Sequence, residues 1–228
     1  MEALILMTRI PYRGNTKTRL MPILSPIHCE ELHQAFLEDY YQCFKAFKDN
    51  RKIFVAYAPE NFQESFLDSI PKDYGCFVQE GENIGIRMRN AFDYVFKLGY
   101  EKVVLVGCDI PHIQEFTYNN AFEKLEESDL VICPTYDGGY CLIGMKTIYE
   151  KLFVNDVKWG NQSVVERTYN MANEIGLELS LLEKYRDLDE YSDLISLQKE
   201  YSDIKNDKRN IPKHTLEYLE KLSEEKVI

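Results

Sequence analysis

Four cations and no acid stand out first. Between Glu2 and Glu30 the chain has no Asp or Glu, yet Arg9, Arg13, Lys17 and Arg19 fall within eleven positions of a protein whose formal net charge is −11. Guanidinium and ammonium groups crowded on one short segment are the chemistry of an anion site, most simply a phosphate chain. The bland alternative is a solvated loop whose cations pair with surface acids. The segment, Thr8 to Leu20, is not a P-loop, because Gly14 lacks the partner glycine of G-x-x-x-x-G-K-[ST]. It would instead wrap a di- or triphosphate with side-chain cations and loop N–H groups. At roughly 1.5–3 kcal/mol per charge-assisted hydrogen bond, three or four cations suffice for micromolar binding. A second segment, Gly107-Cys108-Asp109-Ile110-Pro111, places a carboxylate where the chain turns at a proline. Such a group suits Mg²⁺ or Mn²⁺, hard ions that take oxygen ligands and bridge substrate phosphates. Alternatively, Asp109 is a turn former bonded to its own backbone.

Both segments must sit at strand ends for this chemistry to converge, since open α/β sheets bind ligands outside the carboxyl ends of their strands. Glu2–Met7 is a short apolar run, hence a buried strand, and Lys102–Gly107 has the pattern of a central strand covered on both faces. Ser25-Pro26 reads as N-cap and first-turn proline of a helix to about Lys48, with a core stripe of Leu32, Phe36, Tyr40 and Phe44. A strand at Lys52–Ala58, a helix over 60–69 and a strand at Tyr74–Gln79 follow. Ile84, Met88, Ala91, Phe92, Val95 and Phe96 then trace a helix stopped by Gly99. A helix near 115–127 and a strand at Leu130–Cys133 precede Asp137-Gly138-Gly139, which is hairpin chemistry before the apolar Tyr140–Met145. A helix at about 161–175, a strand at Leu177–Leu182 and a helix from about Glu190 complete the series.

The expected fold is therefore α/β. It is a single Rossmann-like domain with a mostly parallel central sheet, a small antiparallel hairpin insertion and a C-terminal helix. Residues 1–201 form that domain; 202–228 are a polar linker and an amphipathic helix carrying Leu216, Leu219 and Leu222. With 228 residues, 45% apolar and 29% charged, the chain is neither disordered nor long enough for several domains. No apolar run approaches the roughly 18–20 residues of a bilayer span, and the N-terminus lacks signal-peptide character. A soluble, cytoplasmic protein is expected. The six cysteines form no C-x-x-C pair and several lie in apolar runs, so reduced thiols packed in the core are expected. The acidic balance argues against a nucleic-acid partner.

Residues 3–20, 103–111, Pro134–Gly144 (PTYDGGYCLIG) and Asp187–Leu194 (DLDEYSDL) together resemble successive motifs of a bacterial glycosyltransferase-like family. That family belongs to the nucleotide-diphospho-sugar transferase (GT-A) superfamily. Lys17-Thr18-Arg19-Leu20, the D-x-P at Asp109 and the D-G-G-Y hairpin match in order and spacing. Gly85 with Arg87-Met88 fits a G-x-R-M element, and Trp159 fits a tryptophan before a later helix. The K-[ST]-R-L and D-x-P pair is also similar to the 2-phospholactate guanylyltransferases. The resemblance implies that Arg9, Lys17 and Arg19 contact donor phosphates, to which the charge cluster adds Arg13. It implies that Asp109 binds Mg²⁺ or Mn²⁺, with Asp187 or Asp189 as a second carboxylate. Asp137, Gly138, Gly139 and Tyr140 would border the acceptor pocket, with Arg87 nearby, and Asp109 and Lys17 would carry catalysis. The chain has Cys108-Asp109-Ile110 where glycosyltransferases of this fold often show D-x-D, a departure toward the nucleotidyltransferase style.

Simpler accounts exist for several of these residues. Asp137-Gly138-Gly139 can be a tight turn, Asp187, Asp189 and Asp193 can cap a helix, Arg87 can be solvated, and Trp159 can be core. His112, beside Asp109, is a candidate base. The leading expectation is glycosyl transfer from a nucleotide-diphospho-sugar to a small-molecule acceptor. The alternatives are nucleotidyl transfer from an NTP to a phosphorylated small molecule, or a non-catalytic nucleotide-binding module.

Overall fold

The computed structural model describes residues 1–47, 49–153, 164–202 and 211–228. Strand β1 (Glu2–Thr8) is buried from Ala3 onward, which a strand achieves only with neighbours on both sides and layers on both faces. Its neighbours are β2 (Arg51–Tyr57) and β4 (Lys102–Gly107), both parallel, with Leu4 level with Ile53 and Val104. Outside β2 lies β3 (Gly75–Val78), also parallel.

The antiparallel hairpin forms from β5 (Leu130–Pro134) and β6 (Tyr140–Met145). Strand β6 is drawn into the main sheet, antiparallel to β4 on one side and β5 on the other. Strand β7 (Leu179–Leu181) adds in parallel outside β5. Among the described residues the seven strands make one sheet in the order β3-β2-β1-β4-β6-β5-β7.

Helices α1 (Pro26–Phe44) and α4 (Glu115–Glu127) cover one face, burying Tyr40, Phe44, Tyr118 and Phe122. On the other face α3 (Ile84–Lys97) and α5 (Val164–Glu174) bury Met88, Phe92 and Ala172, with Phe153 between them. Helix α1 starts as expected, Ser25 Oγ accepting from His28 N–H at 3.2 Å, and its Leu32, Phe36, Tyr40, Phe44 stripe is buried. It gives way after Phe44 to a single 3-10 turn, Lys45–Phe47. The helix expected over 60–69 is trimmed to α2 (Glu64–Ser69).

Two last helices, α6 (Tyr191–Ser202) and α7 (Lys213–Glu224), build a satellite core on the outer side of α1. Leu20, Leu24, Leu194, Leu197, Leu219 and Leu222 meet there. The N-cap position of α7 is Pro212, which has no capping side chain. Asp39, buried on α1, takes over: its carboxylate accepts from His214 N–H (2.8 Å), Thr215 N–H (2.9 Å) and the Thr215 hydroxyl (2.6 Å). No described helix is long and apolar enough to cross a membrane. Trp159 and the polar stretch 203–210 lie outside the described residues.

All six thiols are free. Cys29, Cys43, Cys108 and Cys133 are buried and Cys141 is half-buried, but Cys76 is exposed, which corrects the expectation that all six pack in the core. It lies on β3, where the outermost strand turns alternate residues to solvent.

Candidate active site

The two chemically interesting segments leave adjacent parallel strands at the same sheet edge. After β1, the chain turns at Tyr12–Asn15, with Asn15 N–H bonded to Tyr12 O (3.1 Å) and Gly14 at φ +83°, and it reaches Lys17 in a left-handed conformation (φ 47°, ψ 41°). After β4 comes Asp109. The two loops meet: Lys17 Nζ donates to Asp109 Oδ1 (2.5 Å) and to Leu188 O (3.2 Å), and sits 4.5 Å from the centroid of the Phe36 ring. The Lys17 side chain is 4% exposed, whereas 54% of the Asp109 side chain is open. Burial alone would depress the Lys17 ammonium, yet Asp109 and Asp189 outweigh it and raise its pKa. Burial pushes Asp109 upward, and the Lys17 charge and hydrogen bond overcome this and hold it below its ordinary value.

Asp109 opens on a cavity of about 570 Å³ at the carboxyl ends of β1, β2 and β4, lined also by Arg9, Gln79, Asn83, Arg87 and Tyr140. Arg9 is committed to one hydrogen bond, Nη1 to Asn15 O (3.1 Å), and also borders an adjoining hollow with Asn15, Asn61 and Arg87. Arg87 is not a freely solvated arginine: Nε donates to Gly81 O (3.1 Å) and Nη2 to Glu60 Oε1 (2.6 Å). Gly81 is at φ +141°, and a Cβ there would meet Arg87 N at 2.9 Å, so glycine is needed to bring this loop against α3. Asn83 caps α3 by accepting from Ile86 N–H (3.0 Å), leaving the helix start at the cavity wall.

The remaining expected residues are spread around this centre. Arg13 is not at the cavity: from within the turn it pairs with Glu30 (2.9 Å) in a groove between α1 and α7. Lys17, Arg19, Asp187 and Asp189 also lie outside the lining, with Arg19 paired to Asp189 (2.5 Å). Asp137 Oδ1 accepts from the Thr135 hydroxyl (2.5 Å) and Gly139 N–H (2.9 Å), while Gly138 takes φ +91°. Asp137, Gly138 and Gly139 therefore make the hairpin turn, and of this group only Tyr140 lines the cavity. Asp193 caps α6, accepting from Glu190 N–H (2.9 Å), so it has no part at the centre. His112 is buried beside Tyr185, outside the cavity lining, with its pKa pushed down to about 4 by burial.

Asp187 is half-buried, and burial together with Asp137, Asp189 and Asp109 raises its pKa to about 6. Asp189 is raised as well, by burial first. Among the described residues no three His, Cys, Asp or Glu side chains are arranged to hold an ion. The donor chemistry nevertheless fits Mg²⁺ or Mn²⁺: hard carboxylates repel one another here, and a divalent cation would relieve that repulsion.

Beneath the loops lies His33, on the buried side of α1 and 1% exposed. Its Nε2 is 3.1 Å from Thr8 Oγ1 and 3.4 Å from Cys108 Sγ, and its Nδ1 is 2.5 Å from Thr16 Oγ1. No charge cluster or motif marks it in the sequence, nor does one mark Gln79, whose Nε2 ties Thr8 O and Ala56 O (both 2.8 Å). The one available signal was a polar ring at i+1 from Leu32 and i−3 from Phe36, on a stripe that has to be buried and where a polar group demands partners.

The model of DUF2064, described as an uncharacterized protein conserved in bacteria, matches residues 44–161, just over half the chain. The 2-phospho-L-lactate guanylyltransferase of Methanobrevibacter smithii is 28% identical over 135 residues, 58% of this chain and 57% of that one; the chain thus spans little more than half of that relative's length. The enzyme of the same name from Methanothermobacter thermautotrophicus is 26% identical over 172 residues, 75% of this chain and 72% of that one. A solved structure from Desulfovibrio desulfuricans G20, described as a nucleotide-diphospho-sugar transferase, superposes with a TM-score of 0.87 at 25% identity, covering 98% of this chain and 95% of that one. The matched span 44–161 runs from β2 through β6 and includes Arg87, Asp109 and the Asp-Gly-Gly-Tyr turn. With more than half of its sequence matching the family model, the chain belongs to the DUF2064 family of bacterial proteins.

Proposed function

We propose that this chain is a metal-dependent nucleotidyltransferase, moving a nucleoside monophosphate from an NTP to a phosphorylated small molecule. The observation that carries the reading is the meeting of the two loops. The buried Lys17 ammonium is held against the open Asp109 carboxylate, and Asp109 lines a cavity with Arg9 and Arg87, Lys17 itself lying behind that lining. Each charge-assisted hydrogen bond that Arg9 or Lys17 gives to a phosphate chain contributes roughly 1.5–3 kcal/mol.

Asp109, with Asp187 or Asp189 from the neighbouring loop as a second carboxylate, would hold Mg²⁺ or Mn²⁺. When bound, such an ion neutralises charge on the phosphoryl oxygens during in-line displacement. Arg9 presents the donors left over from its bond to Asn15, and Lys17 supplies a fixed positive charge that water screens poorly. Arg87, braced by Gly81 and Glu60, is positioned to receive the acceptor's anionic group. A phosphate acceptor is already an oxyanion at neutral pH and needs no base. A sugar hydroxyl would need a base.

The names of the two archaeal relatives support nucleotidyl transfer, as does the lone aspartate between Cys108 and Ile110. The name of the Desulfovibrio neighbour favours a second reading, transfer from a nucleotide-diphospho-sugar. A thermal-shift panel of NTPs and UDP- and GDP-sugars with Mg²⁺ or Mn²⁺ separates them. Stronger stabilisation by an NTP, followed by pyrophosphate release with a phosphorylated acceptor, is the expected result. Stronger stabilisation by sugar nucleotides supports the second reading, and nucleotide binding indifferent to EDTA with no turnover makes the chain a binding module.

A further inference from the structure

His33 touches neither the cavity nor any charged group of the proposed machinery, yet its ring reaches the immediate chain neighbours of three of them. Thr8 precedes Arg9, Thr16 precedes Lys17 and Cys108 precedes Asp109. We propose that His33 is a positioning residue that sets Arg9, Lys17 and Asp109 relative to one another, by tying the end of β1, the cationic loop and the end of β4 to a single point on α1. The proposal rests on the transfer chemistry above for what those three residues do, but not for how they are held.

The hydrogen-bond geometry gives the ring one consistent state. The Thr8 hydroxyl donates its only proton to Arg9 O (2.7 Å), so at 3.1 Å it accepts from His33, whose Nε2 therefore carries hydrogen. Nδ1 is then the acceptor, and the Thr16 hydroxyl donates to it at 2.5 Å. Burial, with the Lys17 and Arg9 charges nearby, pushes the His33 pKa to about 3, which keeps this neutral form. Between the two hydroxyls the imidazole acts as a rigid strut with one donor and one acceptor end. A strut is needed at this place: Lys17 holds a left-handed backbone that a non-glycine residue seldom keeps unaided, and Thr16, next to it, is 2% exposed. The imidazole meets both buried hydroxyls at once, donating to Thr8 and accepting from Thr16.

Three variants separate the ends of the strut. His33→Asn keeps an acceptor near Nδ1 for Thr16, His33→Gln keeps a donor near Nε2 for Thr8, and His33→Leu removes both. Phe92→Leu, in the core on the opposite sheet face, serves as a control for general loss of stability. GTP with Mg²⁺ is titrated by calorimetry, and amide exchange is followed in peptides covering 8–20 and 107–112. The expected result is at least tenfold weaker GTP binding and at least tenfold faster exchange in those two peptides for His33→Leu. Partial recovery is expected for Asn and Gln, and wild-type behaviour at both readouts for Phe92→Leu. If His33→Leu does not fold, Asn and Gln carry the comparison, each expected to fall between wild type and loss of binding. GTP affinity within twofold of wild type in the folded His33 variants, or equal loosening in Phe92→Leu, overturns the proposal. Should wild type bind no NTP at all, the nucleotidyltransferase reading fails and exchange alone decides: faster exchange confined to the two peptides upholds the strut, and unchanged exchange refutes it.

Discussion

Replacing Asp187 with Asn should stabilise the ligand-free protein above pH 6 and leave it unchanged near pH 4. In the folded chain burial and the carboxylates of Asp137, Asp189 and Asp109 lift this carboxyl from 3.8 to about 6. The folded state therefore holds a proton between those two values that the unfolded chain has released, so stability falls as pH rises through the window and the full cost is present above it. At 1.36 kcal/mol for each tenfold change in proton affinity, the bare figure is about 3 kcal/mol. Asp187 is only half-buried, and solvent screening reduces this to on the order of 1 kcal/mol. For a chain of this size that corresponds to a rise in Tm of about 2–4 °C. Urea and thermal denaturation of both proteins at half-unit steps from pH 4 to 7.5 measure it. Glu123→Gln, an exposed charge removal on α4, corrects for the general negative charge. Equal stability at pH 7, or a gain that persists at pH 4, would refute the picture of Asp187 crowded by neighbouring carboxylates.

Three further perturbations probe other parts of the structure. Lys17→Met removes the buried ammonium from Asp109 and Leu188 O; a stability loss of about 1–3 kcal/mol in urea and at least tenfold weaker NTP binding are expected, and undiminished NTP affinity would contradict its proposed role. Asp39→Ala strips the start of α7 of three hydrogen bonds and should cost about 2–4 kcal/mol, with limited proteolysis releasing the C-terminal helix first; wild-type resistance would show that the apolar contacts on α1 suffice. At pH 8 a disulfide reagent should label one thiol quickly, and Cys76→Ser should abolish that phase, since burial pushes the Cys43 and Cys108 thiols up to about 12; several fast thiols would mean the core opens.

Much of the frame is visible in the residue order. The apolar runs of β1 and β4, the stripe Leu32–Phe44 and the Asp-Gly-Gly turn are short-range patterns, and each forms the element its period predicts. The two segments of the candidate site are visible for the same reason: each follows a buried strand, and parallel strands deliver their loops to one edge. Individual roles are less visible. Arg13 and Arg19 belong to the same dense cluster as Arg9 and Lys17, yet the turn at Tyr12–Asn15 and the left-handed Lys17 aim the four side chains at four different partners. Asp137, the most conspicuous acid of the hairpin, is used by its own backbone. His33 is invisible from charge patterns because it belongs to a helix stripe and its partners lie 17, 25 and 75 residues away.

Local periodicity and turn chemistry thus settle which segments are strands, which are helices and which two loops share an edge, because those preferences act over a few residues of chain. Which cation meets which carboxylate depends on through-space distance and on how water is excluded. Only the packed molecule decides that Lys17 goes under cover beside Asp109 while Arg13 turns out to Glu30. The same packing makes Asp187 a weak acid among three others and places a neutral histidine behind them all.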